Sequence, residues 1–221
     1  MLCVISLGGS LIVPEQIDIN FLKGFRNLIL NQVKKGNRFI IVCGGGRIAR
    51  NYFAALQKIT NVKSTEYDRL GIRATQLNDE LLRIIFKGIA YKQVHDVKDR
   101  KVRFKILIGT GFFPGVSSDF DAVKYAEKYK AKTILNLTNI DYVYDKDPKY
   151  PGAKPMKKLS WHQYSTIIGK TWKPGMHYPF DPRSSREAAK HRLNVVIING
   201  KNLSNVKRCL DGKSFHGTVI R

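Results

Sequence analysis

Two glycine-rich segments contain the residues of this sequence best suited to hold a charged group. Leu7-Gly8-Gly9-Ser10 and Cys43-Gly44-Gly45-Gly46-Arg47 each follow a short apolar run, a pattern typical of a strand, a tight turn and the start of a helix. Such a junction leaves backbone N–H groups unpaired and turns the positive end of the helix dipole outward, so it favours an anion, most often a phosphate. Glycines also permit a tight bend without any ligand. Two such turns on neighbouring strands together indicate a phosphate site.

Acidic residues are scarce in the chain but concentrated in one part of it. Six of the 17 acids fall between positions 119 and 147: Asp119, Asp121, Glu127, Asp141, Asp145 and Asp147. In that part of the chain they suit metal or phosphate chemistry. For Asp119 the alternative is a helix N-cap, and for the Asn-, Asp- and Pro-rich stretch 138–148 it is ordinary turn chemistry.

An α/β architecture would position these groups. The sequence predicts strands at residues 2–7, 38–43, 91–97, 104–108, 132–137, 195–198 and 217–220. Segments of helical periodicity alternate with them, and such βαβ units imply parallel strands with right-handed crossovers. We therefore expect a three-layer α/β sandwich with a mainly parallel central sheet of about eight strands, forming one domain over residues 1–221.

Several helix boundaries also follow from local patterns. Asp18 and Ser160 are predicted N-caps, and Asp119 is predicted to precede a further helix. The polar stretch 61–68 is predicted to lead into a helix rather than belong to it. In that helix one apolar face is predicted to pack on the core: Leu77, Leu81, Leu82, Ile85 and Phe86.

Composition narrows the class of protein. The chain has 221 residues, of which 43% are hydrophobic and 25% charged, with no apolar run approaching the roughly 20 residues of a membrane span. The N-terminus resembles a core strand rather than a signal peptide, so a cytoplasmic location is expected. The three cysteines show no CxxC spacing, which favours buried thiols over a disulfide framework or metal site.

The formal net charge of +22 is the footprint expected of a nucleic-acid binder. The Lys and Arg residues are nevertheless scattered along the whole chain, without a basic arm or an aromatic RNA-binding strand. A surface that attracts anionic substrates, or a general compositional bias, explains the charge as well. A nucleic-acid partner is therefore not expected.

The order of the motifs resembles the amino-acid kinase superfamily, and within it most closely the archaeal-type uridylate kinases. The resemblance covers almost the whole chain. It depends on segments in a fixed order: 8–10, 44–50, 68–72, 109–111, 117–119, 138–148 and 181–182. It implies transfer of the γ-phosphoryl group of ATP to UMP, with Mg²⁺ carried by the nucleotide.

The same resemblance implies a role for individual residues. Those expected to bind ATP are Gly8, Gly9, Ser10, Gly46, Thr138, Asn139, Asp141, Tyr144 and Asp147. Those expected to bind UMP are Gly45, Arg50, Asp68, Gly71, Thr110, Ser117 and Ser118. Arg47 and Asp119 are the expected catalytic residues, and no residue is assigned as a metal ligand. The acceptor would bind the N-terminal part of the domain and ATP the C-terminal part. Relatives assemble through the helix after the first glycine turn, so a homo-oligomer, a dimer or hexamer, is also implied.

The sequence departs from the superfamily pattern at three places. Ser6 stands where many members have a lysine, the segment 175–181 lacks a second lysine, and Tyr142 replaces a glycine. Positive charge would then come from Arg47, Lys170 or Lys173. Two alternatives stay open: a non-catalytic nucleotide-binding or storage protein on the same fold, and a kinase of another small phosphate monoester. Of the five histidines, only His177 lies in a predicted active-site loop.

Overall fold

The apolar runs of the sequence become strands in a computed structural model, which describes residues 1–111, 115–147, 149–169 and 178–221. Within these residues the strands are β1 (Leu2–Leu7), β2 (Arg38–Cys43), β3 (His95–Asp96), β4 (Ile106–Thr110), β5 (Thr133–Thr138), β6 (Val143–Tyr144), β7 (Pro155–Met156), β8 (Lys158–Leu159), β9 (Asn194–Asn199) and β10 (Thr218–Ile220).

Eight of these strands form the central sheet, in the order β3-β4-β2-β1-β5-β9-β10-β8. All neighbouring pairs are parallel except β10 with β9, which is antiparallel. β6 and β7 form a separate antiparallel pair. The prediction of a mainly parallel sheet of about eight strands is confirmed.

The helices connect and cover these strands. They are α1 (Gly9–Ile12), α2 (Ile19–Lys34), α3 (Gly46–Ile59), α4 (Ser64–Ile85), α5 (Ser118–Tyr129), α6 (Trp161–Ile168), α7 (Pro182–Lys190) and α8 (Leu203–Leu210). The predicted N-caps of α2 and α6 are confirmed: Asp18 accepts a hydrogen bond from Phe21 N, and Ser160 forms a capping box with Gln163.

Helices lie on both faces of the sheet, which explains why its strands are apolar on both sides. Along β1, Ile5 and Leu7 pack into a core with α2, α4 and α8, whereas Val4 packs into a second core with α5, α6 and α7. The predicted three-layer sandwich is confirmed. Ser6 alternates onto the same face as Val4 and so points towards α5.

The carboxyl ends of the central strands meet at one edge of the sheet. Gly8 N donates to Leu137 O of β5 at 2.9 Å, and Gly44 N donates to Leu7 O of β1 at 2.9 Å. These bonds continue the ladders past the ends of the strands and bring the two glycine turns together. Ligands of open α/β sheets bind at this kind of edge.

Three local predictions were wrong. The strand predicted at 91–97 is only His95–Asp96, because the chain turns after Tyr91. α4 begins at Ser64, so much of the stretch predicted to be non-helical is helix. Leu77 is 61% exposed, because polar residues rather than apolar ones occupy part of the inward face of α4, and the fully buried apolar residue of this helix is Leu82.

The cysteines fit the expectation of buried thiols. Cys3 and Cys43 are buried and all three cysteines are free. Burial raises the pKa of the Cys3 thiol to about 12, so it stays protonated and inert. Among the described residues, no helix combines the length and apolarity that crossing a bilayer requires.

Candidate active site

The two glycine turns touch through their backbones. A Cβ at Gly9 would overlap Gly44 O and Gly46 N, and a Cβ at Gly46 would overlap Gly9 O. Gly46 also has φ +61°, a left-handed conformation that favours glycine. At this contact only glycine fits.

α3 begins at this contact with an N-terminus that no side chain caps. Its N-cap residue is Gly45, and its first turn contains no acid. Arg47 N makes a long bond to Val13 O, at 3.4 Å. Among the described residues, the N–H groups of the first turn have no carboxylate or hydroxyl partner, and they lie next to the other glycine turn. This is the anion-binding geometry that the sequence predicts.

Two cavities flank the start of α3. The small cavity, of about 210 Å³, includes six of the residues expected at the site: Gly45, Gly46, Asp68, Gly71, Ser117 and Ser118. The large cavity, of about 660 Å³, includes six others: Ser10, Arg50, Thr138, Asn139, Tyr144 and Asp147. Since Gly46 and Arg50 both lie on α3, its first turns form a wall between the two cavities.

The distribution of these residues between the two cavities mostly follows their expected roles in binding ATP or UMP. Some of the residues expected to bind ATP lie on the wall of a cavity. Among these, only Gly46 belongs to the small cavity, and the others belong to the large one. Among the residues expected to bind UMP, Arg50 is the exception, because it lines the large cavity. Burial and the nearby Arg47 lower the pKa of the Arg50 guanidinium. The Glu15 carboxylate, which pairs with Arg47, acts in the opposite direction and raises this pKa.

Asp119 lies beside this site, in the first turn of α5. Its carboxylate accepts a hydrogen bond from Ser6 Oγ at 2.7 Å and a longer one from Asn136 Nδ2 at 3.4 Å. Burial and the nearby Asp181 carboxylate raise the pKa of Asp119 to about 7. The serine that replaces the superfamily lysine thus contacts the expected catalytic acid and supplies a neutral donor in place of a cation.

Asp119 was predicted to precede α5 but lies in its first turn, and it does not take the alternative role of N-cap. Ser117 takes that place and accepts from Asp119 N at 3.2 Å, while its own hydroxyl donates to Asp181 Oδ2 at 2.5 Å. Asp181 is in turn the N-cap of α7 and accepts from Ser184 N at 3.0 Å. One buried carboxylate therefore joins the starts of α5 and α7.

Six expected residues line neither cavity: Gly8, Gly9, Arg47, Thr110, Asp119 and Asp141. Arg47 pairs with Glu15 at 2.8 Å. Thr110 is 6% exposed, because β4 runs two residues further than predicted and includes it. Asp141 accepts from Asn199 Nδ2 at 3.0 Å.

Other sequence interpretations fall outside the described residues. These are the ones concerning Pro148, Lys170, Lys173 and His177.

Sequence reasoning missed part of the lining of both cavities. Phe53 and Tyr67 meet edge to face in the small cavity, with ring centroids 5.6 Å apart, and the buried Asp121 also contributes to it. Ile167 and Ile168 line the large cavity. Asp121 belongs to the acid-rich stretch, so the sequence could have indicated it as a site residue. The pattern around Ile167 and Ile168 indicates only the apolar face of a helix.

One further cluster has metal-binding atoms, away from both cavities. Glu127, Glu187 and His191 lie close together. Lys124 Nζ contacts Glu127 at 3.0 Å and Glu187 at 2.9 Å. The ammonium group is shared between the two carboxylates, and Lys190 Nζ lies 3.9 Å from Glu187, so the cluster is an ion-pair network.

Comparison with known proteins agrees with this geometry. The model of the amino acid kinase family matches residues 1–199. The uridylate kinase of Sulfurisphaera tokodaii is 32% identical over 227 residues, covering 100% of this chain and 99% of that protein. The uridylate kinase of Pyrococcus abyssi is also 32% identical, with the same coverage.

Solved structures give the same result. The crystal structure of uridylate kinase from Archaeoglobus fulgidus superposes with a TM-score of 0.82 at 28% identity, covering 100% of both chains. UMP kinase from Bacillus anthracis gives a TM-score of 0.81 at 22% identity, which supports the fold. The sheet order, the paired glycine turns and the full-length similarity lead to one conclusion: this chain belongs to the amino acid kinase family.

Proposed function

We propose that this protein is a UMP kinase, which transfers the γ-phosphoryl group of ATP to UMP and releases UDP and ADP. The observation that carries the proposal is the pair of cavities on either side of the α3 N-terminus, where two glycine turns meet. The full-length similarity to proteins named uridylate kinase supports the choice of substrate.

The acceptor nucleotide would occupy the small cavity. Its phosphate would lie at Gly45 and the start of α3, where backbone N–H groups are available. The Asp68 carboxylate would accept hydrogen bonds from the ribose hydroxyls, while Gly71 allows close approach beside it. Phe53 and Tyr67 provide an aromatic wall.

ATP would occupy the large cavity. Thr138, Asn139 and Tyr144 line it with polar groups, and Ser10 brings the first glycine turn to the same space. Mg²⁺ would arrive with the nucleotide. The Asp147 carboxylate on the wall of this cavity is the hard oxygen ligand that Mg²⁺ prefers.

Transfer requires the phosphate oxygen of UMP to attack the γ-phosphorus as the bond to the β-phosphate oxygen breaks. The protein contributes positioning and positive charge rather than covalent chemistry. Arg50 and Lys146 are both described cations on the wall of the large cavity. Because Arg50 lies on α3 close to its start, we assign it the larger share. Arg47 would contribute less, since Glu15 partly neutralises it. Asp119 would orient the groups at the start of α5.

A coupled assay for ADP release with UMP, ATP and Mg²⁺ tests the proposal. Arg50→Ala should lower kcat/KM at least tenfold, a loss of about 1.4 kcal/mol in transition-state stabilisation. Arg47→Ala is the matched control on the same helix and should lower it less. ADP release that does not depend on UMP would refute the proposal.

The same assay separates the alternatives. A panel of nucleoside monophosphates and other phosphate monoesters would identify a different acceptor. Tight ATP binding with no turnover on any acceptor would instead identify a non-catalytic nucleotide-binding protein.

We further propose a homo-oligomer that forms through α3. Tyr52 is 59% exposed and Ile59 is 80% exposed, and they lie two turns apart on the same helix face. Apart from Ile19 at its first position, the outward residues of α2, the long helix after the first glycine turn, are largely polar, for example Lys23 and Asn27. Sedimentation equilibrium would measure the number of subunits.

A further inference from the structure

Two adjacent polar residues on α4 are almost completely buried. Asn78 is 1% exposed and Asp79 is 0% exposed. They occupy inward positions that an apolar residue would fill in an ordinary amphipathic helix, and they break the pattern that predicted Leu77 to be buried. Polar side chains are costly to bury unless they make hydrogen bonds, so their partners indicate what they do.

Both side chains bond to backbone groups at the second glycine turn. Asn78 Nδ2 donates to Gly44 O at 2.8 Å, and Asp79 Oδ1 accepts from Cys43 N at 3.3 Å. On its other side the turn is held by the bond from Gly44 N to Leu7 O at 2.9 Å. The backbone at the end of β2 is therefore fixed both by β1 and by α4.

The carboxyl of Asp79 also lies near the neighbouring strand. Thr110, at the end of β4, lowers the pKa of this carboxyl, while its own hydroxyl donates to Gly111 O at 3.5 Å. Gly111 lines the small cavity. Asp79 is thus bonded to the end of β2 and lies beside the end of β4, and both strands lead into the walls of the same cavity.

α4 itself forms another wall of that cavity. Asp68, Gly71 and Thr75 all line it, and they lie within one to three turns of Asn78. The helix that would hold the ribose is therefore joined by side-chain hydrogen bonds to the turn that would hold the phosphate.

We propose that Asn78 and Asp79 are positioning residues, which set the Gly44–Gly46 turn against α4 so that the acceptor phosphate and ribose are bound in one fixed geometry. Neither residue lines a cavity, and each acts through the backbone that it holds. The identity of the acceptor rests on the proposed function. The role of the two hydrogen bonds in holding the turn does not depend on it.

Four variants separate this role from simple packing. Asp79→Ala and Asn78→Ala remove the bonds and keep a strong helix former. Asn78→Ser is a smaller change whose hydroxyl is too short to reach Gly44 O, and it serves if an alanine variant does not fold. Asp79→Asn keeps a carbonyl oxygen for Cys43 N and should rescue function. Leu77→Ala, on the exposed side of the same helix, is the control.

The kinetic expectation is selective. The alanine variants, and Asn78→Ser, should raise the KM for UMP about tenfold or more while the KM for ATP stays within about twofold. Asp79→Asn and Leu77→Ala should stay near the parent protein in both. Equal increases in both KM values, or no change in folded variants, would overturn the proposal.

Hydrogen exchange provides a readout that does not require activity. Without nucleotide, the amide of Gly44, which donates to Leu7 O, should exchange about tenfold faster in the alanine variants than in the Leu77→Ala control, because the turn has lost one of its two supports. If the protein does not phosphorylate UMP but this exchange is faster, the proposed function fails and the positioning role stands. Unchanged exchange at the turn would reject the role whatever the kinetics.

Discussion

Replacing Asp79 by asparagine should remove one source of pH-dependent instability from the protein. Asp79 has no exposed surface, and burial raises its pKa from 3.8 to about 7 even though Thr110 and Cys43 nearby lower it. A folded-state pKa above the unfolded value means that the folded protein holds this proton more tightly. The contribution to stability is therefore complete at low pH and is lost as the pH rises through about 7.

The size of the effect follows from the pKa. A rise of about 3 in the pKa corresponds to about 4 kcal/mol, at about 1.4 kcal/mol per pKa unit. About 3 kcal/mol of this loss falls between pH 5 and pH 8, because the unfolded carboxyl is already ionised at pH 5. The amide of the Asp79→Asn variant does not titrate, so the variant should gain that amount over the parent protein across this interval.

Urea unfolding followed by circular dichroism at pH 5, 6, 7 and 8 measures the difference. Asp119 titrates with the same sign in both proteins, so subtraction isolates Asp79. In thermal unfolding, the gain at pH 8 over pH 5 should raise Tm by roughly 6 to 12 °C for a chain of this size. Glu66→Gln, at an exposed acid of the same helix, should show no such trend. A difference between variant and parent that stays constant from pH 5 to pH 8 would refute the reasoning.

Three other outcomes are expected. Gly9→Ala should unfold the protein or abolish soluble expression, since its Cβ would overlap the backbone of Gly46; a circular dichroism spectrum and Tm like those of the parent would contradict this contact. Asp119→Asn should lower kcat at least tenfold while nucleotide binding measured by calorimetry persists, because the hydrogen bond from Ser6 can be kept by the amide oxygen but the charge cannot; full activity would remove Asp119 from the catalytic residues. Ile59→Ser should reduce the subunit number in sedimentation equilibrium, because it removes a large exposed apolar side chain; an unchanged assembly would move the interface away from α3.

The features that the sequence predicted well are those set by local pattern. Uninterrupted apolar runs predict β1 and β2 because both faces of a parallel sheet are buried. The glycine turns were recognisable because each apolar run ends in glycines just before a segment of helical periodicity. The contact between Gly9 and Gly46 could not be predicted from local pattern, because it depends on the order of strands in the sheet.

The errors arose where distant groups compete for the same role. Ser117 rather than Asp119 caps α5. The Asp119 carboxylate instead accepts a hydrogen bond from Ser6, more than 100 residues away in the chain. Thr110 turned inward because β4 continues through it. Arg47 pairs with Glu15 across a loop, and no local pattern at either residue indicates that pair.

The backbone contact between the two glycine turns has a consequence for protein engineering. Where two main chains touch with no side chain between them, no neighbouring substitution can make room, so a change in either turn has no simple compensating partner. The apolar wall of the large cavity is different, because Ile167 and Ile168 line an open space and are only half-buried. Attempts to change the phosphate donor should therefore start from that wall and leave Gly9 and Gly46 untouched.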